Sequence, residues 1–312
     1  MKKRNLEFQI IVQDEELCYH YTGLSETVVC LLRDLLRKIS EQYKINNVQL
    51  LSLSDQLLLT LIRLRRNLSY RDLAFRLGVG VSTIQTVFSS TLLVLHEVLF
   101  RQFMDVVPSR QKNNMFIPEC FKSYPNVRVV LDCTEISCEI PKSMEKQKAT
   151  YSNYQGRNTI KYKVGCAING CVTYCSSGFP GSSSDKAIVQ HSGILSQLVS
   201  GDMVLADKGF IISDILPPGV SLNIPSFLYD PQFTEDKVYE NRSKSRARIH
   251  IEQINSRLKR FLICTHIPHK LFSSCDAIVQ TCCALINLQN PVMSECTEFF
   301  KILGSKWWLQ YK

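Results

Sequence analysis

The chain has 312 residues, 45% hydrophobic and 21% charged, with a formal net charge of +9. That composition excludes a disordered or fibrous chain, and the basic excess favours polyanionic partners over acidic ones. No apolar run reaches the roughly 18 residues of a membrane span, and Met1-Lys2-Lys3-Arg4 leads into Glu7 and Gln9 rather than a secretory core. The expectation is a soluble, intracellular protein with no membrane partner. Thirteen cysteines, an odd number without a CxxC pair, predict reduced thiols rather than a disulfide framework. One cluster, Cys264-Thr265-His266 with His269 and Cys275 beyond, has zinc-ligand residue types, but its spacing matches no common finger.

Residues 1–107 read as a helical domain. After Ser25, a plausible N-cap, Val28, Leu31, Leu32, Leu35, Leu36 and Ile39 recur at helical spacing. Ser54 is the predicted cap of a helix through Leu57, Leu58, Leu61, Ile62 and Leu64. Ser69-Tyr70-Arg71-Asp72 starts a short helix that Gly78 stops, and Ser82 is the predicted cap of a third helix running toward Leu99. Short helix, glycine turn and a helix opening on small polar residues outline a helix-turn-helix at about 52–100. In such a module the start of the second helix faces base edges, here Ser82, Thr83, Gln85 and Thr86. An ordinary helical hairpin satisfies the same pattern.

Residues 108–126 read as a linker, and the period then changes to two. Val127–Asp132 is an apolar strand ending in an acid. Lys161–Asn169 and Cys171–Phe179 form two strands joined at Asn169-Gly170, a hairpin signal. A polar loop, Gly181–Asp185, leads into a helix, and Asp202–Asp207 is a second apolar strand ending in an acid. Residues 217–243 look irregular, and a long helix is predicted from about Ser245 to Leu262. Helices first, then strand, hairpin, helix, strand and helix read as an all-α domain before an α/β domain at 127–290. Residues 291–312, with Trp307-Trp308, form a tail.

The acids carry the chemistry. Asp132 and Asp207 stand at strand ends, where ligands gather in α/β folds. Glu252 stands at the edge of a helical stripe formed by Ile251, Ile254, Leu258, Phe261 and Leu262, with Arg248 and Lys259 on its own face. It is the single acid among seven cations, Arg242, Lys244, Arg246, Arg248, Arg257, Lys259 and Arg260. Carboxylates in this arrangement suit two Mg²⁺ or Mn²⁺ ions and phosphodiester chemistry. Strand-terminal turns and a surface Glu252–Arg248 ion pair are the plainer alternative.

Several blocks carry a resemblance beyond the three acids. They are Asp132-Cys-Thr-Glu135, Tyr151-Ser-Asn-Tyr154 with Asn158-Thr159-x-Lys161, and Gly181-x-x-Ser184-Asp185-Lys186. Gly201-Asp202-x-x-x-Ala206-Asp207-Lys208-Gly209-Phe210 and Arg248-Ile-His250-Ile-Glu252 continue the series. Together they resemble the DDE endonuclease domain of PIF/Harbinger-type transposases, and residues 50–100 are similar to the helix-turn-helix that precedes it. The resemblance implies an RNase H-like core, divalent-metal-dependent cleavage and strand transfer at transposon ends, and a catalytic triad of Asp132, Asp207 and Glu252. Asp185 is auxiliary, with an N-cap role equally suited to its loop, and Glu135 suits a structural role. Lys161, Arg246, Arg248, Lys259 and Arg260 are candidate phosphate contacts, and His250 suits packing or phosphate. The resemblance further implies duplex DNA as partner, a homo-oligomer, a Myb-like accessory protein and work in the nucleus. A domesticated relative that binds DNA with repurposed or lost cleavage is the principal alternative. A pure scaffold and an RNase H-like nuclease acting on RNA are the others.

Overall fold

The computed structural model describes residues 6–40, 42–43, 50–104, 106–207, 209–224 and 235–297, with side chains in the last stretch from Ser245 onward. Met1–Arg4, Lys208, Trp307-Trp308 and the side chains of Arg242 and Lys244 lie outside the described residues. The chain divides into two compact units.

The first unit contains Met1–Arg101, Leu258–Ile267 and Ser273–Gln289. It opens with α1 (Phe8–Val12), α2 (Glu15–Thr22), α3 (Glu26–Ile39), α4 (Leu53–Arg66), α5 (Tyr70–Leu77) and α6 (Val81–Leu95). At its centre is α4, whose residues Gln56 to Leu64 are all buried, as a helix apolar all round must be. Its cap is Ser52, not Ser54. The Ser52 hydroxyl accepts from the Asp55 amide at 3.1 Å and donates to the Asp55 carboxylate at 2.7 Å, an N-cap that leaves Ser54 inside the helix and buried.

α5 starts as expected. Ser69 accepts from the Asp72 amide at 3.1 Å, and Gly78 closes the helix in the left-handed region at φ 67°. α6 is capped by Gly80 rather than Ser82, which falls in its first turn. Ser82, Gln85 and Thr86 are exposed and Thr83 is half-buried, while Ile84, Val87 and Phe88 are buried. We expect Ser69→Ala to lower the stability of this unit by about 1 kcal/mol, read as a shift of the urea midpoint with unchanged slope.

α6 continues as a π-turn through His96–Arg101. Val81–Arg101 is thereby long and apolar enough by composition to cross a membrane, with 56% of its apolar window buried in the interior. A search for an uninterrupted apolar run misses it because Ser, Thr and Gln break its first turns. Burial on this scale is that of a core helix.

The second unit contains Gln102–Arg257, Pro268–Phe272 and Asn290–Lys312. The segment expected as a linker is structured, with α7 (Arg110–Asn113) and a 3₁₀ turn at Glu119–Phe121. Val107 and Phe121 are buried. The buried carboxylate of Asp202 draws in Arg110 at 2.9 Å and Arg128 at 3.2 Å, since a buried charge must be paired. These demands turn a polar stretch of sequence into packed structure.

The sheet of this unit contains β1 (Val127–Cys138), β2 (Tyr151–Ser152), β3 (Arg157–Cys166), β4 (Val172–Cys175), β5 (Phe179–Pro180), β6 (Met203–Ala206) and β7 (Ser221–Asn223). The order is β2-β3-β1-β6-β7, with β4 and β5 pairing with β3. β1 runs antiparallel to β3 and parallel to β6, and β6 runs parallel to β7. The expected hairpin joins β3 and β4, with Gly170 at φ 80° in its turn. Helices α8 (Met144–Thr150), α9 (Asp185–His191) and α10 (Glu235–Lys259) complete the α/β unit. One core comprises Val129, Leu131, Tyr174, Val189, Val204, Ala206 and Phe210.

α10 begins ten residues before the expected Ser245 and ends at Lys259. Its first ten residues carry no apolar stripe, so periodicity cannot announce them. Ile251, Ile254, Leu258 and Phe261 are buried as expected. Leu262 is 37% exposed in the turn that follows.

α11 (Cys275–Ile286) belongs to the first unit, not to the 127–290 domain expected from the sequence. Every residue from Ala277 to Ile286 is buried, and such a helix needs apolar neighbours on all sides. Within that unit His96 Nε2 meets Gln280 Oε1 at 2.7 Å. Residues 291–297, expected as part of a tail, pack in the second unit. Met293 and Cys296 are buried, and Arg257 donates to the carbonyls of Asn290 and Pro291. None of the thirteen cysteines forms a disulfide.

Candidate active site

Parallel pairing of β1 with β6 sets Leu131 opposite Ala206. The next residue on each strand is an acid, so Asp132 and Asp207 emerge side by side where β6 ends. Asp132 is fixed by two hydrogen bonds. Its Oδ1 accepts from the Cys133 amide at 2.8 Å, and its Oδ2 accepts from Asn255 Nδ2 at 2.8 Å. Burial pushes its carboxyl pKa up, against the Cys133 amide and the positive charges of Arg248 and Lys163, and the Asp207 charge adds to the rise.

The third side of the site is α10. Arg248, Glu252 and Asn255 stand at i, i+4 and i+7, one face of a helix, beside the buried stripe of Ala247, Ile251 and Ile254. Arg248 Nη1 lies 3.0 Å from Asp207 Oδ1, and Nη2 lies 3.5 Å from Glu252 Oε1. The Arg248 side chain is 10% exposed, whereas those of Asp207 and Glu252 are 51% and 57% exposed. A single buried guanidinium thus pairs with the two water-facing carboxylates, and its charge also acts on the inward one. Its Nε makes no hydrogen bond among the described residues.

As the side chains stand, no three His, Cys, Asp or Glu residues among those described form a metal cage. That covers the three acids as well as Cys264, His266 and His269. His269 instead pairs through Nδ1 with Glu139 at 2.9 Å. The donor set around Arg248 is all carboxylate oxygen gathered on one positive charge. That chemistry fits Mg²⁺ or Mn²⁺.

Other expected site residues have different surroundings. Lys161 turns inward, 3.5 Å from Glu135 and donating to the Ser183 carbonyl at 3.1 Å. Glu135 also accepts from Thr159 at 2.7 Å, a structural network. Asp185 does not cap α9; Ser184 does, accepting from the Ala187 amide at 3.2 Å. Asp185 instead pairs with the buried Lys163 at 3.2 Å. Lys163 stands opposite Cys133 in the sheet and Asp132 opposite Val164, so alternation puts the Lys163–Asp185 pair and Asp132 on opposite faces. His250 packs near Phe121, with Nε2 3.5 Å from Cys120 Sγ, and burial lowers its pKa. Arg246, Lys259 and Arg260 are exposed. Asn255 was not singled out from the sequence, although its i+3 spacing from Glu252 was the available signal.

Residues 131–287, half of the chain, match the family described as DDE superfamily endonuclease, and residues 49–101 match the helix-turn-helix of DDE superfamily endonuclease. The chain belongs to the DDE superfamily of endonucleases. Within that superfamily it is transposase-like. It is 27% identical over 177 residues to the Mus musculus protein named "Putative nuclease HARBI1", covering 53% of this chain and 46% of the relative. It is 27% identical over 92 residues to the Homo sapiens protein of the same name, covering 28% and 26%. The matched parts span less than half the length of either relative. No solved structure matches. DDE superfamily endonucleases generally depend on divalent metal, and Asp132 and Asp207 fall at corresponding strand ends inside the matched endonuclease region, with Glu252 on the helix facing them.

Proposed function

We propose that this DDE endonuclease cuts duplex DNA at transposon ends and transfers the freed strand to a target, with Asp132, Asp207 and Glu252 as its catalytic carboxylates. The observation that carries the reading is the shared guanidinium. Asp207 at the end of β6 and Glu252 on α10 pair with Arg248, whose charge also acts on Asp132 of the neighbouring strand, although more than a hundred residues separate Asp132 from Glu252. The strand path β4-β3-β1-β6-β7, antiparallel then parallel, supports an RNase H-like core.

When bound there, two Mg²⁺ or Mn²⁺ ions supply activation of the attacking oxygen and stabilisation of the leaving one. The protein's own part is positioning. Asn255 and the Cys133 amide hold Asp132 rigid, while the exposed Asp207 and Glu252 remain accessible to substrate. Arg248 offsets repulsion among the carboxylates. Ser82, Thr83, Gln85 and Thr86 are the base-reading candidates, on a helix start that presents most of them to solvent. Arg246, Lys259 and Arg260 are phosphate contacts that position DNA without reading it. Two transposon ends per event call for a homo-oligomer. A Myb-like accessory protein and nuclear location belong to the same reading.

The second reading is a domesticated protein that binds DNA without cutting. It is favoured by Arg248 itself, which already pairs with two of the three acids. Supercoiled duplex DNA with Mg²⁺ or Mn²⁺ separates the two. The nuclease reading expects nicking that stops with chelator, is absent on an RNA–DNA hybrid, and is lost in Asp132→Asn, Asp207→Asn and Glu252→Gln. Binding by the folded chain with no nicking in either metal would favour the domesticated reading. Nicking that persists in all three variants would sink the triad.

A further inference from the structure

From the end of β1 to the first residue of β3 the chain builds an arm, residues 139–157, that the proposed chemistry does not use. Helix α8 lies within it and buries none of its seven residues. So short a helix is not stable by itself in water, and polar latches hold it. Ser143 caps it, accepting from the Lys146 amide at 3.3 Å. Gln147 donates to the Pro141 carbonyl at 2.8 Å. Buried Asn158 of β3 donates to the Gln147 carbonyl at 2.9 Å and to Thr150 Oγ1 at 2.7 Å. The Ser182 amide donates to the Ala149 carbonyl at 3.0 Å. At Gly181 a Cβ would come within 2.3 Å of the Thr150 carbonyl oxygen, so the glycine permits this close approach. The arm is thus fixed from its inner side by hydrogen bonds rather than by apolar packing.

Its outer side is apolar and basic together. Ile140, Met144 and Tyr154 are 62%, 79% and 86% exposed. Large exposed apolar groups recurring along one segment, before α8, on it and in the turn after β2, mark an interaction surface. Among them stand Lys142, Lys146, Lys148 and Arg157, all exposed. The acids of the arm are Glu139 and Glu145, and Glu139 is already paired with His269. Lysine is depleted at protein–protein interfaces, whereas cations interleaved with aromatic groups suit a phosphate backbone.

We propose that this arm grips the duplex DNA beside the cut, with its cations on phosphates and Met144 and Tyr154 against the sugars of a groove. This rests on the nuclease reading above and adds a second contact to it. Six residues of extended strand separate Asp132 from Cys138, about 20 Å at roughly 3.3 Å per residue. That is at most about six base pairs at 3.4 Å each, reached if β1 runs along the DNA axis, which puts the base of the arm within roughly half a helical turn of the cleaved phosphate.

The test uses the full chain and a fluorescein-labelled duplex, with binding measured by anisotropy across a salt series. Three variants are compared with wild type: Lys142→Ala/Lys146→Ala/Lys148→Ala, Tyr154→Ala and Gln85→Ala. The triple variant should keep its melting temperature, since α8 buries nothing, and its slope of log affinity against log salt should shallow by about 2.7. Tyr154→Ala should weaken binding severalfold with the slope unchanged. Hydroxyl-radical protection within about six base pairs of the nick should disappear in the triple variant and persist in Gln85→Ala. An unchanged slope in the triple variant, while wild type binds and Gln85→Ala weakens it, would overturn the arm and leave the nuclease reading standing. Loss of self-association without loss of DNA affinity would assign the surface to a second copy and overturn the proposal. Absence of duplex binding by wild type would overturn both readings.

Discussion

Asp132→Asn is expected to reduce nicking about a thousandfold or more while melting no lower than wild type. A thousandfold is about 4 kcal/mol of barrier, within what charge stabilisation at a metal centre contributes. The stability side follows from the local hydrogen bonds. An asparagine oxygen at Oδ1 still accepts from the Cys133 amide. Its new NH₂ faces Asn255, whose Oδ1 is buried without a partner among the described residues. Turning the Asn255 amide over presents that oxygen to the new donor and keeps the contact between the two side chains, with the Asn255 NH₂ moving to the buried position the oxygen held. The substitution also removes a carboxylate that burial and Asp207 disfavour. Functional sites commonly hold strain of this kind at a cost in stability.

Metal linkage gives a readout independent of cutting. With Mg²⁺ at ten times its dissociation constant, wild type gains about 1.4 kcal/mol, since RT ln 11 is that large. Differential scanning fluorimetry should show the upward shift in wild type and none in Asp132→Asn. Asp207→Asn and Glu252→Gln should lose nicking equally. Each removes one of the two carboxylates paired with the buried Arg248, and the remaining partner together with the exposure of the group removed keeps the expected loss well below the roughly 3–5 kcal/mol of a buried pair broken from one side. A metal-induced shift that survives in Asp132→Asn would remove that residue from the ligand set.

Much of this site was legible in the sequence because strands announce themselves by period and end visibly in acids. Two apolar runs finishing at Asp132 and Asp207 gave the pair, and their parallel pairing makes them neighbours. Glu252 was legible through the stripe of Ile251, Ile254 and Leu258 beside it. What stayed hidden depends on partners distant in sequence. Arg248 read as a phosphate contact because nothing local shows that Asp207 will lie 3.0 Å away. Lys161 was expected on phosphate and Lys163 was not singled out, yet both turn inward to carboxylates, Lys161 to Glu135 and Lys163 to Asp185. The start of α10 was invisible because a helical sequence without an apolar stripe has no period to detect. α11 was visible as a helix, but an all-apolar helix carries no directional information about which core will receive it.

The Lys163–Asp185 pair carries the other large expected effect, on stability rather than catalysis. Lys163 has no exposed side-chain surface. Its Nζ lies 3.2 Å from Asp185 and 3.7 Å from the centre of the Phe210 ring. Asp185→Ala strands that ammonium in the core. Breaking a buried pair from one side costs about 3–5 kcal/mol, and the one-third exposure of Asp185 lets water reach the cation and places the expected loss near the lower end. Lys163→Met with Asp185→Ala removes both charges and leaves an unbranched apolar chain over Phe210, so it should recover most of that loss. Urea unfolding of the four proteins in this cycle yields the coupling energy directly. Because alternation puts this pair on the face opposite Asp132, the double variant should retain metal-dependent nicking once folded. A stable double variant with no nicking and no Mg²⁺-induced shift would instead make Asp185 part of the metal site.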